Sequence, residues 1–291
     1  MPMPRLISGL SEIASGHDAL ICDVWGVVHD GTRHHPAAAE ALYRFKEKHG
    51  PVVLLTNAPR VPAEVAIQCT AFGLPPDCYD VIVSSGGATR DELARRSAAQ
   101  TLSLYYIGPD RDLPMIAGLN IRRTDIDEAD LVLCIGLVDD MTETVADYGD
   151  VLAAMKARAL VMLCANPDLV VHRGPRLLYC AGSLAQAYEA LGGQVVYYGK
   201  PHLPIYTAAL AAAATASGQR AGDKTSPKKP LAVGDGLVTD IRGANAANLD
   251  VLFIADGVHG EDVTPYTPEH LAALFARYGA HAATVTRALK W

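Results

Sequence analysis

Residues 21–28 read Ile-Cys-Asp-Val-Trp-Gly-Val-Val, a short apolar run that delivers one acid, Asp23, to a turn containing Gly26. Short apolar runs bounded by turn residues are typical of strands that are buried on both faces of a parallel sheet. In open α/β sheets, ligands bind at the carboxyl ends of the strands. The stretch therefore predicts a buried strand with a candidate functional carboxylate at its end.

The rest of the chain alternates strand-like and helix-like segments, which predicts an α/β fold with a mostly parallel sheet covered by helices. The predicted strands are residues 19–22, 51–55, 81–83, 103–107, 131–135, 160–164, 195–198, 231–233 and 251–254. The predicted helices are residues 36–48, 61–72, 87–98, 183–191, 203–217 and 238–247. The segment from about 99 to 194 has strand and helix signals of its own, so we expect a second α/β unit inserted into the first.

The composition favours a globular protein that does not bind nucleic acid. The chain has 291 residues, of which 50% are hydrophobic, and this is enough to bury a substantial core in two units. Its formal net charge of −7 leaves no broad surplus of basic side chains to neutralise nucleic-acid phosphates. A small anionic ligand remains compatible with this charge, because one local lysine or metal ion suffices to bind it.

The sequence carries no recognisable targeting signal. Met1-Pro-Met-Pro4 lacks the basic and apolar regions of a signal peptide, and the Ala-rich run at 205–217 is too short to span a bilayer. The six cysteines are scattered without a Cys-x-x-Cys pair, which indicates buried free thiols. We therefore expect a cytoplasmic protein that does not associate with membranes.

Polar side chains follow four of the predicted strands. They are Asp23 after the first strand, Thr56 and Asn57 after the second, Lys200 after the strand at 195–198, and Asp235 and Asp240 after the strand at 231–233. If these strands are parallel neighbours, three carboxylates and one ammonium meet at one edge and repel strongly without a cation. Oxygen ligands select a hard divalent ion, so the sequence predicts a Mg²⁺ site.

Each of these groups has an ordinary structural explanation when it is taken alone. Thr56-Asn57 could cap a helix, because both residue types accept backbone N–H bonds at helix starts. Gly234-Asp-Gly236 could form a simple turn, and Lys200 could be a solvated lysine. Their shared position at strand ends is what favours a functional site.

Four motifs stand in the order found in the haloacid dehalogenase superfamily, which the chain resembles over nearly its full length. They are Asp23-x-Trp-Gly-Val27, Thr56-Asn57, Lys200-Pro201 and Gly234-Asp-x-x-x-Thr-Asp240. The insert, with Cys164-Ala-Asn-Pro-Asp168 near its end, resembles the cap of the class IIA, NagD-like subgroup. The resemblance implies a Rossmann-like core with a mostly parallel sheet, formed by residues 1–98 and 195–291, and an inserted α/β cap domain of the class IIA type, formed by residues 99–194.

The resemblance also implies a role for each motif residue in a Mg²⁺-dependent phosphoryl transfer. Asp23 would attack phosphorus and form an aspartyl-phosphate. The metal would be held by Asp23, the Trp25 backbone carbonyl, Asp235 and, through water or as an outer ligand, Asp240. The phosphoryl oxygens would be bound by Thr56, the Asn57 backbone N–H and Lys200, which also orients the nucleophile.

Trp25 stands where the phosphatases of this superfamily have a second aspartate that protonates the leaving oxygen. An indole cannot exchange protons near neutral pH, and a positioned general acid is worth about 10²–10⁴-fold in rate. We therefore expect hydrolysis of a small phosphorylated metabolite with a good leaving group, such as an acyl phosphate or a phosphoanhydride. Otherwise another group must supply the proton, and Asp30, His29 and Asp168 are the candidates.

Two other functions remain open. The 2-haloacid dehalogenases of the same superfamily have an aromatic residue at this position and need no metal, although the pattern at residues 234–240 argues for one. A catalytically weak phospholigand-binding protein is the other alternative, although binding alone would not require Asp23.

An inserted domain above a sheet edge fits a lid that excludes water and supplies specificity contacts. The predicted substrate-binding residues are Asn166, Asp168 and Arg173, of which Arg173 could bind an anionic substituent. Asn166-Pro-Asp168 could equally be a simple turn. A surface of the inserted domain could also support a homodimer.

Overall fold

The structure of the protein, a computed structural model, describes residues 3–173, 176–218 and 229–291. The helices of the described residues are α1 (Pro36–Lys48), α2 (Pro62–Ala71), α3 (Ser85–Arg96), α4 (Gly149–Ala157), α5 (Ala181–Ala190), α6 (Leu203–Ala216), α7 (Arg242–Ala246) and α8 (Pro268–Tyr278). The strands are β1 (Arg5–Leu6), β2 (Leu20–Asp23), β3 (Val52–Thr56), β4 (Val81–Ser84), β5 (Leu102–Ile107), β6 (Ile121–Arg123), β7 (Leu131–Cys134), β8 (Val161–Cys164), β9 (Val170–Arg173), β10 (Arg176–Tyr179), β11 (Gln194–Tyr197), β12 (Leu231–Gly234), β13 (Asp250–Ile254) and β14 (Thr284–Thr286). Strands and helices alternate along most of the chain, so the predicted α/β fold is confirmed.

The chain divides into two compact units. The first unit comprises Met1–Thr56, Ala63–Val83 and Lys200–Trp291, and the second comprises Asn57–Pro62 and Ser84–Gly199. Each unit has a sheet of its own and buries its own set of apolar side chains, as expected of units that pack separately.

The first unit is built on a seven-stranded sheet in the order β1-β14-β13-β12-β2-β3-β4. The pairs from β1 through to β3 are parallel. Every residue of β2, β3 and β12 is buried, because central strands of a parallel sheet are covered on both faces. The strand ends that carry the candidate site residues therefore lie in the middle of this sheet.

Helices α6, α7 and α8 contribute to the apolar layer on one face of the first sheet. Ile21, Val53 and Phe253 of the sheet share a buried cluster with Tyr206 of α6 and Phe275 of α8. The rings of Phe253 and Phe275 meet edge to face, with centroids 5.2 Å apart. Among the described residues, no helix combines the length and the apolar character that crossing a membrane requires.

The second unit is built on a five-stranded parallel sheet in the order β11-β8-β7-β5-β6. Its two faces bury different apolar clusters: Met162 packs with Tyr188 of α5 in one cluster, and Leu133 packs with Leu163 in the other. Strands β9 and β10 form a separate antiparallel pair. The segment that the sequence indicated as an inserted unit thus has a sheet and a core of its own.

The boundaries of this second unit differ from residues 99 and 194, which the sequence indicated. Helix α3 precedes residue 99, yet its Leu93 belongs to the same buried cluster as Leu104 and Leu133 of the second sheet. Strand β11 extends beyond residue 194, yet it pairs in parallel with β8. The boundary between the two units depends on which sheet each strand or helix packs against. The alternation of strand and helix patterns in the sequence does not reveal the sheet to which an element belongs.

Candidate active site

Three polar residues lie at the carboxyl ends of the central strands of the first sheet. Asp23 ends β2 and pairs in register with Leu55, the residue before Thr56. On the other side of β2, Cys22 pairs with Val233 of β12, so Asp235 lies just beyond the level of Asp23. Asp23, Thr56 and Asp235 are all buried. The register of the strands therefore brings these three residues to one part of the sheet edge.

Lys200 lies at this edge, but it does not follow a strand of the first sheet as the sequence predicted. The strand before it, β11, belongs to the second sheet, so Lys200 does not follow a neighbouring strand of the first sheet. It lies instead in the turn before α6, a helix that packs on β2 and β3. Its Nζ donates hydrogen bonds to Oδ1 of Asp23 at 2.5 Å and to Oδ1 of Asp240 at 2.6 Å. Lys200 is 3% exposed, so a buried ammonium links two of the acids.

Asp240 is positioned by a five-residue π-helical segment, Leu237–Ile241, that leads into α7. Its Oδ2 accepts hydrogen bonds from the Gly236 N–H at 3.0 Å and from the Thr239 hydroxyl at 3.3 Å. Its Oδ1 accepts the hydrogen bond from Lys200. Single π-helical turns are rare and occur frequently at functional sites. Because the chain itself occupies both oxygens of Asp240, this residue suits a supporting role beside a metal better than direct ligation.

Burial and mutual repulsion dominate the electrostatics of these acids. Burial raises the pKa of Asp235 well above its ordinary value, and the charge of Asp23 raises it further. Burial likewise raises the pKa of Asp240 to about 6, with Asp23 adding to the shift and Lys200 opposing it. Burial alone would lower the pKa of Lys200, but Asp23 and Asp240 raise it well above its ordinary value. The cluster therefore keeps its lysine charged and disfavours full ionisation of its acids, which an added cation would relieve.

Asp235 is held by contacts that the sequence did not reveal. Its Oδ2 accepts a hydrogen bond from the Val258 N–H at 2.7 Å. A Cβ added at Gly257 would lie 2.1 Å from this oxygen, and one added at Gly26 would lie 2.2 Å from it. Both positions therefore require glycine for Asp235 to keep its place. The sequence did contain a signal for these contacts, because Gly26 follows β2 and Gly257 follows β13. A glycine after a strand can indicate that another group approaches the backbone closely, as well as a turn.

The three acids form a candidate metal centre. One carboxylate oxygen from each of Asp23, Asp235 and Asp240 lies within 4.8 Å of the others, and all three residues are buried. No described residue donates a hydrogen bond to Oδ1 of Asp235 or to the Trp25 carbonyl, so both oxygens can act as ligands. Carboxylate oxygens of buried acids together with a backbone carbonyl oxygen suit a hard divalent cation such as Mg²⁺ or Ca²⁺. The residues present therefore fit such an ion.

Thr56 and Asn57 are consecutive in the chain but belong to different units. Thr56 ends β3 in the first unit, whereas Asn57 begins the second unit. Within the second unit, Asn57 Nδ2 donates a hydrogen bond to Oδ1 of Asp168 at 2.8 Å. Asn166 Oδ1 accepts the N–H of Asp168 at 3.1 Å, which is the hydrogen bond of an Asx turn.

The structure thus gives Asn166 and Asp168 local partners, and their predicted contacts with a substrate stay predictions. The side chain of Arg173 lies outside the described residues, so its predicted role also stays a prediction.

The turn that follows Asp23 contains two of the candidate replacement acids. Oδ1 of Asp30 accepts hydrogen bonds from the hydroxyl and N–H of Thr32 and from the N–H of Arg33, and these hold the pKa of Asp30 well below its usual range. His29 is buried, which lowers its pKa, and its Nδ1 accepts the N–H of Gly31. Near neutral pH, Asp30 is therefore ionised and His29 is neutral, so neither carries a readily released proton.

Family models match two parts of the chain that together contain Asp23, Thr56, Asn57, Lys200, Asp235 and Asp240, whereas Asn166, Asp168 and Arg173 lie between the two matches. Residues 20–122, which include Asp23, Thr56 and Asn57, match the haloacid dehalogenase-like hydrolase family. Residues 197–278, which include Lys200 and Asp235, match a HAD-hydrolase-like family.

Two characterised relatives are phosphatases by name. D-glycerol 3-phosphate phosphatase from Mycobacterium tuberculosis is 30% identical over 254 residues, and the match covers 86% of this chain and 66% of that enzyme. The chain thus spans a little under two thirds of the length of this relative. Ribonucleotide monophosphatase NagD from Escherichia coli is 28% identical over 246 residues, with 84% of this chain and 89% of that enzyme covered.

Solved structures extend the likeness over most of the chain. A hydrolase of the haloacid dehalogenase-like family from Brucella suis is 38% identical with a TM-score of 0.83, and the match covers 97% of this chain and 99% of that chain. Glycerol phosphate phosphatase from Mycobacterium tuberculosis, solved in complex with magnesium, is 29% identical with a TM-score of 0.63, and the match covers 87% of this chain and 73% of that chain. The fold, the site and these matches together show that the chain belongs to the haloacid dehalogenase-like hydrolases, in the class IIA group that includes NagD.

Proposed function

We propose that this protein is a Mg²⁺-dependent phosphatase that hydrolyses a small phosphorylated metabolite through an aspartyl-phosphate. The observation that carries the proposal is the buried cluster in which Lys200 bridges Asp23 and Asp240, with Asp235 close to both acids. Burying several charges is costly for a fold, and such clusters are concentrated at catalytic sites. The named activities of the two characterised relatives support a small phosphorylated substrate.

The reaction begins at Asp23. One of its carboxylate oxygens attacks phosphorus, the bond between phosphorus and the leaving oxygen breaks, and an aspartyl-phosphate forms. Lys200 orients Asp23 through their 2.5 Å hydrogen bond and adds positive charge for the phosphoryl oxygens. Thr56 and the Asn57 N–H would donate further hydrogen bonds to these oxygens. Water then attacks phosphorus, which releases phosphate and restores the carboxylate.

A divalent ion would be held by Asp23, Asp235 and the Trp25 carbonyl, and Asp240 would support this set through Lys200 and Gly236. When bound, Mg²⁺ would offset the negative charge of the phosphoryl group and of the acids around it. The mycobacterial relative was solved with magnesium and also with calcium, and these complexes support a divalent ion at this site.

The expected substrates have good leaving groups, because Trp25 carries no acidic proton. Of the three candidate replacement acids, Asp30 is ionised and His29 is neutral near pH 7, and Asp168 accepts a hydrogen bond from Asn57. Acyl phosphates and phosphoanhydrides have good leaving groups. We further propose that the second unit acts as the cap and contacts the non-reacting part of the substrate through Asn166, Asp168 and Arg173.

A phosphate-release screen tests the proposal. The panel holds sugar phosphates, nucleotides, acyl phosphates and aryl phosphates, each assayed with Mg²⁺ and with EDTA, and Asp23→Asn serves as the matched control. We expect release that depends on Mg²⁺ and is lost in Asp23→Asn. Activity that survives this substitution would overturn the nucleophile assignment, and chelator-resistant turnover of 2-haloacids would favour a dehalogenase. Tight binding of phosphate esters without any hydrolysis would instead indicate a ligand-binding protein.

A further inference from the structure

Tyr206 is a buried tyrosine whose hydroxyl meets the segment that carries Asp240. It lies on α6 and is 1% exposed, and its ring belongs to the apolar cluster that contains Ile21 and Val53 of the first sheet. Its Oη donates a hydrogen bond to the backbone carbonyl of Asp240 at 2.9 Å and lies 3.4 Å from the carbonyl of Thr239. A carbonyl oxygen only accepts, so the hydroxyl is the donor in this contact. A phenylalanine would fill the same apolar space without this hydrogen bond.

The ring of Tyr206 also packs against the start of α7. A Cβ added at Gly243 would lie 2.4 Å from Cε2 of the ring and 2.6 Å from Oη, so the ring approaches the backbone closely here. Gly243 is the second residue of α7, which directly follows the π-helical segment Leu237–Ile241. In that segment the Ile241 N–H bonds to the Gly236 carbonyl at 3.0 Å, five residues back. The tyrosine thus contacts the π-helical segment through its hydroxyl and the following helix through its ring.

The position of Asp240 matters because its side chain holds Lys200. Oδ1 of Asp240 accepts a hydrogen bond from Lys200 Nζ at 2.6 Å, and the same Nζ donates to Oδ1 of Asp23 at 2.5 Å. These three residues and Tyr206 are buried and belong to the first unit. A chain of contacts therefore runs from the Tyr206 hydroxyl through Asp240 and Lys200 to the proposed nucleophile. Hydrogen bonds weaken steeply when their angle departs from the preferred range, so a displaced Asp240 would hold Lys200 less well.

We propose that Tyr206 is a positioning residue, whose hydroxyl fixes the backbone of Asp240 and thereby keeps Lys200 aligned with Asp23. The inference rests on the phosphatase function proposed above and adds to it a residue that acts through other groups. Small displacements of reacting groups can lower a rate strongly, even when the change lies away from the chemistry. Loss of this one hydroxyl should therefore slow the reaction although the fold is kept.

The first test removes the hydroxyl and measures the release of phosphate from p-nitrophenyl phosphate. We expect Tyr206→Phe to lower kcat by about 10-fold. Tyr188→Phe is the matched control, because Tyr188 is 0% exposed and donates its hydroxyl to the Leu160 carbonyl at 2.6 Å in the second unit. Both variants lose a buried hydroxyl bonded to a backbone carbonyl, so both should lower the melting temperature by a similar amount. Tyr188→Phe should nevertheless keep the wild-type kcat. An unchanged kcat in Tyr206→Phe, or an equal loss in both variants, would overturn the inference.

A double-mutant cycle shows whether Tyr206 acts through Asp240. Asp240→Asn alters the side chain that holds Lys200. If the hydroxyl acts by fixing this side chain, its removal in the Asp240→Asn background should lower kcat by less than about 2-fold, because the two changes share one pathway. The same 10-fold loss in both backgrounds would mean that the hydroxyl acts by another route, and the inference would be wrong.

A third readout needs neither substrate nor metal. A buried ammonium that two carboxylates hold exchanges its protons slowly with water, so Lys200 should give an ammonium signal in a nitrogen–proton correlation NMR spectrum. Its loss in Lys200→Arg assigns the signal. We expect Tyr206→Phe to shift this signal or to speed its proton exchange, whereas Tyr188→Phe should leave it unchanged. An identical signal in Tyr206→Phe would contradict the inference, and the lack of a slowly exchanging Lys200 signal in the wild type would remove its premise.

These outcomes separate the inference from the function on which it rests. If no phosphate ester is hydrolysed, or if Asp23→Asn remains fully active, the phosphatase mechanism fails, whereas the Lys200 signal still reports whether Tyr206 positions this lysine. If the wild type is active, Asp23→Asn is inactive and Tyr206→Phe matches the wild type in kcat, the phosphatase mechanism stands and the role of Tyr206 alone is refuted.

Discussion

Lys200 shows how much a single residue contributes when it lies buried between two acids. Its Nζ is bonded to both Asp23 and Asp240, and it is 3% exposed. Removing one partner of a buried ion pair leaves an uncompensated charge and typically costs about 3–5 kcal/mol. We expect Lys200→Met to lower the free energy of unfolding by about 3 kcal/mol in EDTA, measured by urea denaturation.

Two further variants separate this effect from a general loss of a lysine. Lys290→Met removes an exposed lysine and should change the free energy of unfolding by less than about 0.5 kcal/mol. Adding Asp240→Asn to Lys200→Met removes one of the orphaned charges and should restore part of the loss. If Lys200→Met is no more costly than Lys290→Met, the ion pair contributes nothing measurable to stability.

Trp25 decides which leaving groups the proposed mechanism can use. We expect Trp25→Asp to raise kcat/KM for an alkyl phosphate by about 100-fold or more, because a carboxyl group at this position can protonate the leaving oxygen. An acyl phosphate needs no such proton, so its kcat/KM should rise far less. Steady-state kinetics with both substrates measure the difference, and Trp25→Asn provides a side chain of similar size without the acid. An equal gain for both substrates, or the same gain in Trp25→Asn, would show that the missing acid does not limit the reaction.

At the level of residues, the sequence predicted the charged side chains that the structure brings together, and their roles stay predictions. Asp23, Asp235 and Lys200 stand out because each is a charged residue that follows an apolar run. Each has a structural explanation of its own, but no single structural explanation accounts for all three. The Val258 N–H and the close packing of Gly257 on Asp235 gave no such signal. Every residue except proline has a backbone N–H, so its use in a site depends on the fold alone.

The loop after β13 is the element that positions Asp235, and it offers a matched pair of glycines. A Cβ added at Gly257 would lie 2.1 Å from Oδ2 of Asp235, whereas one added at Gly260 would meet no atom closer than 3.3 Å. We expect Gly257→Ala to displace Asp235 and weaken Mg²⁺ binding by about 10-fold or more, as losses of supporting contacts at metal sites typically do. Isothermal titration calorimetry with Mg²⁺ measures the affinity. Gly260→Ala should bind normally, and equal affinities in the two variants would exclude this role for the loop.

Some elements of the fold were predicted to within one residue, and others were not predicted at all. Helix α1 begins and ends at the predicted residues, and β5 and β12 differ from their predictions by one residue. Strands β1, β6 and β14 have only two or three residues, which is too short for any periodic pattern. Helix α8 was missed although Thr267 caps it and Pro268 opens it, which is a recognisable start signal.

At the scale of the whole molecule, hydrophobic patterns reveal strands but not the sheet that each strand joins. Strand β11 alternates exposed and half-buried residues, as expected at the edge of a sheet, and both sheets have edges that it could have extended. The pairing with β8 depends on contacts between residues far apart in sequence. Lys200 therefore approaches Asp23 from a helix start rather than from a strand end, and this could not be foreseen from spacing alone.

Metal binding should be visible as a change in the stability of the whole protein. Asp23, Asp235 and Asp240 are buried together with one lysine, so the folded protein without a cation retains unfavourable repulsion among its acids. A cation that binds the folded state alone stabilises it by about 2.7 kcal/mol at 100 times its dissociation constant. We expect Mg²⁺ to raise the melting temperature measured by differential scanning calorimetry. Asp235→Asn should lose most of this rise, whereas Asp91→Asn, which changes an exposed acid on α3, should keep it. A rise of equal size in all three proteins would place the stabilising cation outside this cluster, and no rise in the wild type would argue against a divalent-metal site.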